Sequence, residues 1–576
     1  MKTVEELLSY FHTLDVKLWV QDDKLRYSAP KETLTPNLLA QLKERKAEIV
    51  EFLQKTAFGF SSSVEPIQPV PRTTDLPLSF AQQKMWLINQ LEGNNPTYNE
   101  SVVVKISGSL QVAVLERSFR EIIQRHEALR TTFKTVNGQP VQVILPTFAF
   151  TLPVIDLRSA CSSTPARSLS LVAGESFSKT QQEAEVQRLL AEEIQQPFDL
   201  TKSPLMRVRL LQLGQTEHVL QIVMHHIVSD NQSVGLIFQE LKALYEAFAS
   251  AKPSPLPDLP IQYADFAVWQ RQYLQGDLLS KELTYWKQQL AKAPTVLQLP
   301  TARSRSPVPT FAGKTQFFVL PKTLIEALKA TSRATGATLF MTLLAVFKTL
   351  LYRYTGQEDI LVISPMTYRN RVELENLIGN FMNILALRTD LSGNPSFREL
   401  LGRVREVTLG AYEHQNLPVE MLLPQLQLEH NSSQTNLFPV GFVFNSSMPN
   451  SELSDLTLSW LKVDSPTAKL DLTLYLEETQ QGLSASIEYK TDLFDAATIA
   501  RMVGHFQTLL EGIVANPNQR LSDLPLLTST EQHQLWVEWN NTQADYPKHA
   551  CIHQLFEAQV ERTPDAVAVV FEDEQL

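Results

Sequence analysis

The sequence predicts an α/β protein whose main body has two lobes. Strand-like and helix-like patterns alternate from Leu76 onwards, and the same alternation starts again after a proline-dense crossing at 249–262. Two similar halves joined in this way favour a cleft between them, the usual place for a binding or catalytic site. The length of 576 residues is sufficient for such a body with smaller appendages.

Composition excludes several classes of protein. Hydrophobic residues make up 43% of the chain, but no stretch reaches the roughly eighteen uncharged apolar residues of a membrane span. The first residues, MKTVEELLSYF, carry acidic side chains where a signal peptide needs a basic region, so we expect no export. Cys161 and Cys551 lie far apart, which predicts neither a disulfide framework nor a metal cluster and fits the cytoplasm. The net charge of -11 disfavours nucleic acid as a partner.

Residues 1–55 predict a small separate domain. Thr3 is a suitable N-cap for a first helix, and Glu6, three residues on, completes a capping box. The segments VKLWV and KLRYSA then form a predicted hairpin with its turn at 21–23, and another helix follows. The open edge of the hairpin can accept a strand from another chain, while the alternative is a folded appendage without a partner.

The first lobe follows a serine- and proline-rich segment at 56–75, which we interpret as an exposed, semi-stiff linker. A helix is expected at 78–91 with Ser79 as its cap. The next predicted elements are a strand at 101–110, a helix at 112–133, an irregular mobile loop at 158–182 and a strand at 204–213. A charged cluster, typical of a solvated helix terminus, lies towards the end of the second helix: Arg125, His126, Glu127 and Arg130.

The stretch His218–Phe248 predicts a strand that runs into a helix through a polar turn. Residues 219–224 are a short β-rich apolar run, and from Val234 onwards apolar residues recur at three- and four-residue spacing. The turn holds two histidines, an aspartate and an asparagine: His225, His226, Asp230 and Asn231. A base and oriented backbone N–H groups can converge on one reacting atom at such a place.

Two less specific interpretations of the histidines compete with a catalytic one. A single histidine after a buried strand is most often a satisfied core residue. Zinc binding is the second alternative, but adjacent histidines point to opposite sides of a strand, and no cysteine or third histidine lies at ligand spacing. Because histidine is scarce, 11 in 576 residues, the pattern His-His-x-x-x-Asp is more informative than one histidine alone.

Seven ordered segments resemble the motifs of the condensation domains of nonribosomal peptide synthetases, over roughly residues 76–525. They are SFAQQKMW at 79–86, RHEALRTTF at 125–133, MHHIVSDNQS at 224–233, YADFAVW at 263–269, IGNFMNILALR at 378–388, HQNLPVEML at 414–422 and the weaker SQTNLFPV at 433–440. The segment LDVKLWVQDDKLRYSAPKETLTPNLLAQLKERKAEIVEFL resembles the N-terminal docking domains of the tubulysin-synthetase type. From about Leu524 the tail resembles a linker at 526–545 and the first residues of an adenylation domain at 546–576, so we expect a fragment of a longer protein.

The resemblance implies a chloramphenicol-acetyltransferase-like pair of lobes arranged in a V, with an N-lobe at about 76–250 and a C-lobe at about 263–525. Upstream and downstream carrier proteins would present phosphopantetheine-bound thioesters at opposite mouths of a tunnel between the lobes. The acceptor α-amine would attack the donor thioester and form an amide. The chain itself is expected to bind no cofactor and no metal. An alternative is a catalytically silent module of the same fold that binds carriers or recruits tailoring enzymes.

The resemblance also implies roles for single residues. His226 would position the amine and act as a general base, while His225 would be structural. Asp230 would shape the turn and pair with an arginine, for which Arg125 and Arg371 are the two candidates. The docking edge would receive the C-terminal motif of an upstream synthetase subunit through the residues of its two strands: Leu18, Trp19, Val20, Leu25, Arg26 and Tyr27.

The sequence departs from the family pattern at three places. Asn231 stands where the family has glycine, but asparagine is the next best tolerated residue at positive φ. Backbone N–H groups from about Asn231 onwards would stabilise the oxyanion that forms during the reaction. Gln232 replaces a frequent tryptophan, and the expected arginine and proline are missing around 433–437. These changes leave the predicted fold intact and bear on substrate class and activity.

Overall fold

The protein is described by a computed structural model that covers most of the chain. The described residues are 17–21, 24–28, 42–43, 45–46, 48–50, 66–93, 95–158, 179–294, 297–301, 310–425, 438–446, 452–453, 455–461, 467–479 and 482–576. The predicted N-terminal hairpin is present: β1 (Lys17–Gln21) pairs antiparallel with β2 (Lys24–Ser28), and Val20 lies opposite Leu25. The helix predicted to begin at Thr3 lies outside the described residues, as do most side chains of the docking edge.

The first lobe is built on a mixed β-sheet. In chain order its elements are β3 (Leu76–Pro77), α1 (Phe80–Glu92), β4 (Asn99–Ser107), α2 (Val112–Arg125), β5 (Thr131–Val136), β6 (Gln139–Ile144), β7 (Val154–Asp156), α3 (Lys179–Gln195), β8 (Met206–Gln212), β9 (Glu217–His225) and α4 (Asn231–Ala249). The strands β4, β9, β8 and β7 are neighbours in that order, and β3, β6 and β5 form a separate small sheet. Helices α2 and α4 pack on one face of the large sheet and α3 on the other, so eight of the nine residues of β9 are buried.

The second lobe repeats the arrangement of a sheet covered by helices. After α5 (Tyr263–Tyr273) and α6 (Gly276–Gln289) come β10 (Gly313–Pro321), α7 (Lys322–Ala334), α8 (Leu339–Thr355), β11 (Asp359–Thr367), β12 (Met382–Asp390), α9 (Phe397–Glu413), α10 (Val419–Leu422), β13 (Val440–Ser446), β14 (Glu452–Leu453), β15 (Leu456–Leu461), β16 (Leu472–Thr479), β17 (Gly482–Lys490) and α11 (Ala496–Ala515). The sheet order is β10-β17-β16-β13-β11-β12. Helices α7, α8, α9 and α11 bury their apolar sides against one face. The predicted two-lobed α/β architecture is therefore present.

Two strands, β14 and β15, cross from the second half of the sequence into the sheet of the first lobe. β15 follows β13 and precedes β16, yet it pairs antiparallel with β4, where Trp460 lies opposite Val104. The Trp460 ring also packs edge-on against Phe238 of α4 at 4.7 Å between centroids. The first lobe is thus completed by strands that sequence order places with the second.

The charged cluster after α2 is not a solvated helix end. The helix predicted at 112–133 stops at Arg125, and the chain turns into β5 because Thr131, Thr132 and Phe133 favour a strand. The His126 side chain is 1% exposed, and its Nε2 lies 2.9 Å from Glu240 of α4. Burial of this cluster joins α2 to α4.

The second part of the predicted linker is not a free connection. Ile67 is buried in a cluster that includes Ile261 and Phe266. Arg72 forms ion pairs of 2.6 Å with Asp265 and 2.9 Å with Glu127. Residues 66–75 therefore pack on the body, whereas 56–65 and most of the loop predicted at 158–182 lie outside the described residues.

The C-terminal segment contains short and largely exposed elements. They are α12 (Ser529–His533), a π-helical turn at Gln534–Glu538, α13 (Ile552–Arg562), β18 (Val570–Phe571) and β19 (Glu574–Gln575). Every residue from Cys551 onwards is exposed, including Phe556 and Phe571. Within the described chain no single helix has the length and apolarity of a membrane span, although α7 and α8, bent by 102°, reach that threshold as a pair.

Candidate functional site

A large cavity lies between the two lobes. Its volume is about 2180 Å³, and its wall combines residues of α1, β4 and α4 from the first lobe with residues of β11, β13 and β16 from the second. His226, Asp230, Asn231 and Gln232 all line it. The strand–turn–helix unit predicted from the sequence therefore faces the cleft between the lobes.

The backbone around His226 is fixed on both sides of the turn. β9 ends at His225, and the backbone N–H of His226 donates to the carbonyl of Tyr98 at 2.9 Å. α4 begins at Asn231 with Asp230 as N-cap, whose carboxylate accepts from the backbone N–H of Ser233 at 2.8 Å. The turn is thus held by a cap at one end and a buried strand at the other.

The hydrogen bonding of the His226 ring determines its tautomer. Nδ1 lies 2.7 Å from the carbonyl oxygen of Ser229, which can only accept, so Nδ1 carries the proton. Nε2 then carries the lone pair, and within the described part of the chain no hydrogen-bond partner occupies it. The side chain is 5% exposed, at the wall of the cavity.

Burial keeps the His226 ring neutral. Desolvation lowers its pKa below the ordinary value of 6.5, and the nearby charges of Glu100 and Lys469 act in opposite directions, the carboxylate raising the pKa and the ammonium lowering it. Glu100 Oε1 lies 3.4 Å from Nδ1. At neutral pH the ring is therefore able to accept a proton through Nε2.

His225 faces the interior of the first lobe. Its Nδ1 accepts from the backbone N–H of Ile227 at 3.0 Å, and its ring meets Phe198 edge-on at 6.2 Å. Burial lowers its pKa to about 3. The two adjacent imidazoles thus have different surroundings, as expected for neighbours at a strand end.

Asp230 joins the two lobes through a buried ion pair. Its Oδ2 accepts from the guanidinium of Arg369 at 2.5 Å and from the backbone N–H of Phe381 at 3.1 Å. The Arg369 side chain is 1% exposed and its guanidinium lies 4.2 Å from the centre of the Phe381 ring. The same carboxylate therefore caps α4 and binds the loop between β11 and β12.

Neither arginine predicted as the partner of Asp230 is correct. Arg125 binds Glu240 at 2.9 Å and the carbonyl of Pro257. Arg371 pairs with Glu373 at 2.9 Å, and its guanidinium lies 5.1 Å from the centre of the Trp269 ring. β11 ends at Thr367, so Arg369 is the arginine nearest the strand end, and Arg371 already precedes the next helical turn. That proximity to the strand end is the signal that could have selected Arg369.

Segments far apart in sequence meet beside this ion pair. The hydroxyl of Ser233 donates to the carbonyl of Gly379 at 3.0 Å, and a Cβ at Gly379 would overlap the ring of Tyr263. The hydroxyl of Tyr263 in turn bonds Ser79 at 2.7 Å and the carbonyl of Asn380. The motifs that begin at residues 79, 224, 263 and 378 thus form one junction that holds the lobes together.

Asn231 does not occupy a position that requires glycine. It is the first residue of α4 and is absent from the described non-glycine residues with positive φ. The prediction that asparagine is tolerated because it can adopt positive φ is therefore wrong. Residue 231 has the backbone conformation of a helix, which suits any L-residue. Asn231 and Gln232 are exposed at the cavity wall.

The structure thus has a two-lobed α/β fold with a histidine on the wall of the cavity between the lobes. Residues 72–536 match the Condensation domain family, and residues 4–55 match the TubC N-terminal docking domain family. The chain belongs to the condensation-domain family of nonribosomal peptide synthetases, a family of peptide-bond-forming acyltransferases. The predicted resemblance to condensation domains and to TubC-type docking domains is confirmed, and so is the mixed α/β fold of condensation domains.

Similar proteins include large synthases. One of the linear gramicidin synthase proteins of Brevibacillus parabrevis is 45% identical over 514 residues, covering 89% of this chain and 10% of that protein. Chondramide synthase of Chondromyces crocatus is 41% identical over 512 residues, covering 89% of this chain and 13% of that protein. The chain spans about a tenth of the length of these relatives.

Solved structures share the fold. The X-domain from teicoplanin biosynthesis is 28% identical with a TM-score of 0.70, covering 80% of this chain and 100% of that one. The four-domain synthetase AB3403 has a TM-score of 0.72 over 88% of this chain and 38% of that one, and at 21% identity it shows the fold alone.

Proposed function

We propose that the chain forms an amide between an acyl or peptidyl thioester on an upstream carrier protein and the α-amine of an aminoacyl thioester on a downstream carrier. The observation that carries this proposal is the position of the buried His226 ring, whose pKa is lowered by burial, on the wall of a cavity of about 2180 Å³ between the lobes. Its Nδ1 is bonded to the carbonyl of Ser229, so Nε2 holds the lone pair. A cavity of this size accommodates two tethered substrates.

The chemistry follows from the need for a neutral amine. Nε2 of His226 orients the acceptor amine and accepts one proton as the C–N bond forms. The tetrahedral oxyanion lies near the N-terminus of α4 at Asn231, where the helix dipole favours negative charge. Its collapse breaks the C–S bond, and the proton returns to the departing thiolate of the upstream carrier. Holding two tethered substrates together contributes several kcal/mol, about 7–11 at the upper end.

The chain is expected to contact carrier proteins, an upstream synthetase protein and an adenylation domain. Phosphopantetheine belongs to the two carriers, and we assign no cofactor to the chain itself. We expect the β1–β2 hairpin to receive the C-terminal motif of an upstream synthetase protein at the backbone edge of one strand. The exposed apolar side chains of α13, including Ile552 and Phe556, fit an interface with an adenylation domain. The cytoplasm, where thiols stay reduced, suits this chemistry.

A silent module of the same fold is the second candidate. The likeness to the teicoplanin X-domain is the observation that favours it, since another structure with 27% identity is the complex of that X-domain with OxyB. A fold alone does not decide between catalysis and recruitment. The two functions differ in whether His226 is needed for turnover.

A single-turnover assay with loaded donor and acceptor carriers tests the proposal. We expect the unmutated protein to form the amide, and His226→Ala to lower the rate by at least 100-fold, the lower range of general-base effects of about 10²–10⁴, while carrier binding is unchanged. His533→Ala is the matched control, because His533 is an exposed side chain far along the linker. Carrier binding without turnover by the unmutated protein supports the silent module. Full activity of His226→Ala refutes the role of the imidazole.

A further inference from the structure

Two charged side chains from opposite lobes flank His226. Glu100 lies on β4 of the first lobe, with Oε1 3.4 Å from Nδ1 of His226. Lys469 lies just before β16 of the second lobe, with Nζ 3.7 Å from Oε1 of Glu100 and 5.6 Å from the centre of the Tyr98 ring. The imidazole, the carboxylate and the ammonium thus follow one another from the first lobe to the second.

Backbone contacts fix the positions of both residues. Glu100 lies opposite Met224 in the β4–β9 ladder, two residues from His226, so the carboxylate stays beside the ring. The backbone N–H of Lys469 donates to Oε1 of Glu488 on β17 at 3.4 Å. Glu100 and Lys469 are 24% and 37% exposed, so both remain partly shielded from solvent. Partial burial strengthens their effect on the ring relative to charges in water.

The other ionisable groups around His226 leave this pair as its main adjustable influence. Asp230, at the cap of α4, also acts to raise the pKa of His226, although its carboxylate is held in an ion pair with Arg369. His225 is neutral at physiological pH because burial lowers its pKa to about 3. Tyr475, on β16, is neutral because burial raises its pKa well above the ordinary value. Lys490 is paired with Asp471 at 3.4 Å.

We propose that Glu100 and Lys469 are positioning residues for His226 and that the two side chains together set its basicity. Glu100 stabilises the protonated imidazole and Lys469 destabilises it. This inference rests on the proposed function.

The pH dependence of single-turnover rates measures the effect. The rate falls as pH decreases through the pKa of His226, because only the neutral ring accepts a proton. Glu100→Gln removes a charge that raises this pKa, so its acid limb moves to lower pH. Lys469→Met removes a charge that lowers it, so the acid limb moves to higher pH. The double variant returns towards the unmutated profile.

A matched control lies on β4 and β9. Lys105 on β4 and Glu217 on β9 form an exposed ion pair of 2.7 Å, five residues further along β4 than Glu100. Lys105→Met therefore repeats the loss of one lysine without a charge change beside His226, and its acid limb is expected to coincide with that of the unmutated protein. Thermal unfolding of each variant shows whether it folds. Lys469→Arg keeps the positive charge, so its pH–rate profile should match that of the unmutated protein if charge alone is involved.

NMR titration of the His226 ring separates this inference from the proposed function. In protein with ¹³C-labelled histidine, the His226 signal is identified by its loss in His226→Gln and its midpoint is read without turnover. Shifts of the His226 midpoint in opposite directions in Glu100→Gln and Lys469→Met support the inference even if no amide forms. The absence of amide formation would refute only the proposed function. Unchanged midpoints, or shifts in the same direction, overturn the inference while leaving the proposed function intact.

Discussion

Removal of the buried ion pair between Asp230 and Arg369 tests how strongly this pair stabilises the junction of the two lobes. We consider Arg369→Met, which removes the guanidinium but keeps most of the side-chain length. Arg371→Met is the matched control, since it changes the same residue type two positions later in the same loop. Arg371 is also one of the two arginines that the sequence predicts as partners of Asp230, so this pair of variants tests the corrected assignment directly.

The burial of each pair sets the expected magnitudes. The side chains of Arg369 and Asp230 are 1% and 7% exposed, so removing the arginine leaves a carboxylate uncompensated in the interior. Breaking a buried pair in this way costs about 3–5 kcal/mol. Arg371 and Glu373 are 15% and 31% exposed, and such a pair contributes about 1 kcal/mol or less. The expected difference between the two variants is therefore at least about 2 kcal/mol.

Urea denaturation, followed by tryptophan fluorescence, measures this difference. A lower midpoint with an unchanged slope for Arg369→Met reports a loss of folding free energy. Binding of both carriers to the folded variants shows whether the cavity wall is preserved. Equal destabilisation by the two substitutions, or a larger effect of Arg371→Met, would refute the assignment of Arg369 as the residue that joins the lobes through Asp230.

Two further predictions concern the core of each lobe. Leu458 of β15 is 4% exposed and belongs to the core of the first lobe, although it lies in the second half of the sequence. Leu458→Ala should therefore destabilise the first lobe by about 2–5 kcal/mol, which hydrogen exchange of the β4 amides measures. Thr457→Ala, at an exposed position, should leave the exchange of β4 unchanged. Burial lowers the pKa of Lys348 to about 7 from the ordinary value of 10.5. Between these pH values the folded chain binds fewer protons than the unfolded chain. The free energy of unfolding therefore rises with pH in this range, by up to about 1.4 kcal/mol per pH unit. Lys348→Met should abolish that slope in denaturation midpoints, and an unchanged slope would contradict the assignment.

The local signals of the sequence predicted the site unit well. The apolar run before His225, the polar residues of the turn and the helical spacing from Val234 predict a strand, a turn and a helix, and the structure has β9, the turn and α4 there. The cluster after Arg125 was misassigned because its burial depends on Glu240, 114 residues from His126. No local pattern reports the position of so distant a partner.

The sequence by itself determined the strand–turn–helix unit around His226 and the family, because periodicity and short motifs depend on neighbouring residues. Only the tertiary structure decided that β15 completes the first lobe, that Arg369 rather than Arg125 or Arg371 binds Asp230, and that Lys469 comes within 3.7 Å of Glu100. Each of these contacts joins segments more than about 100 residues apart, and the path of the chain between them sets which side chains meet.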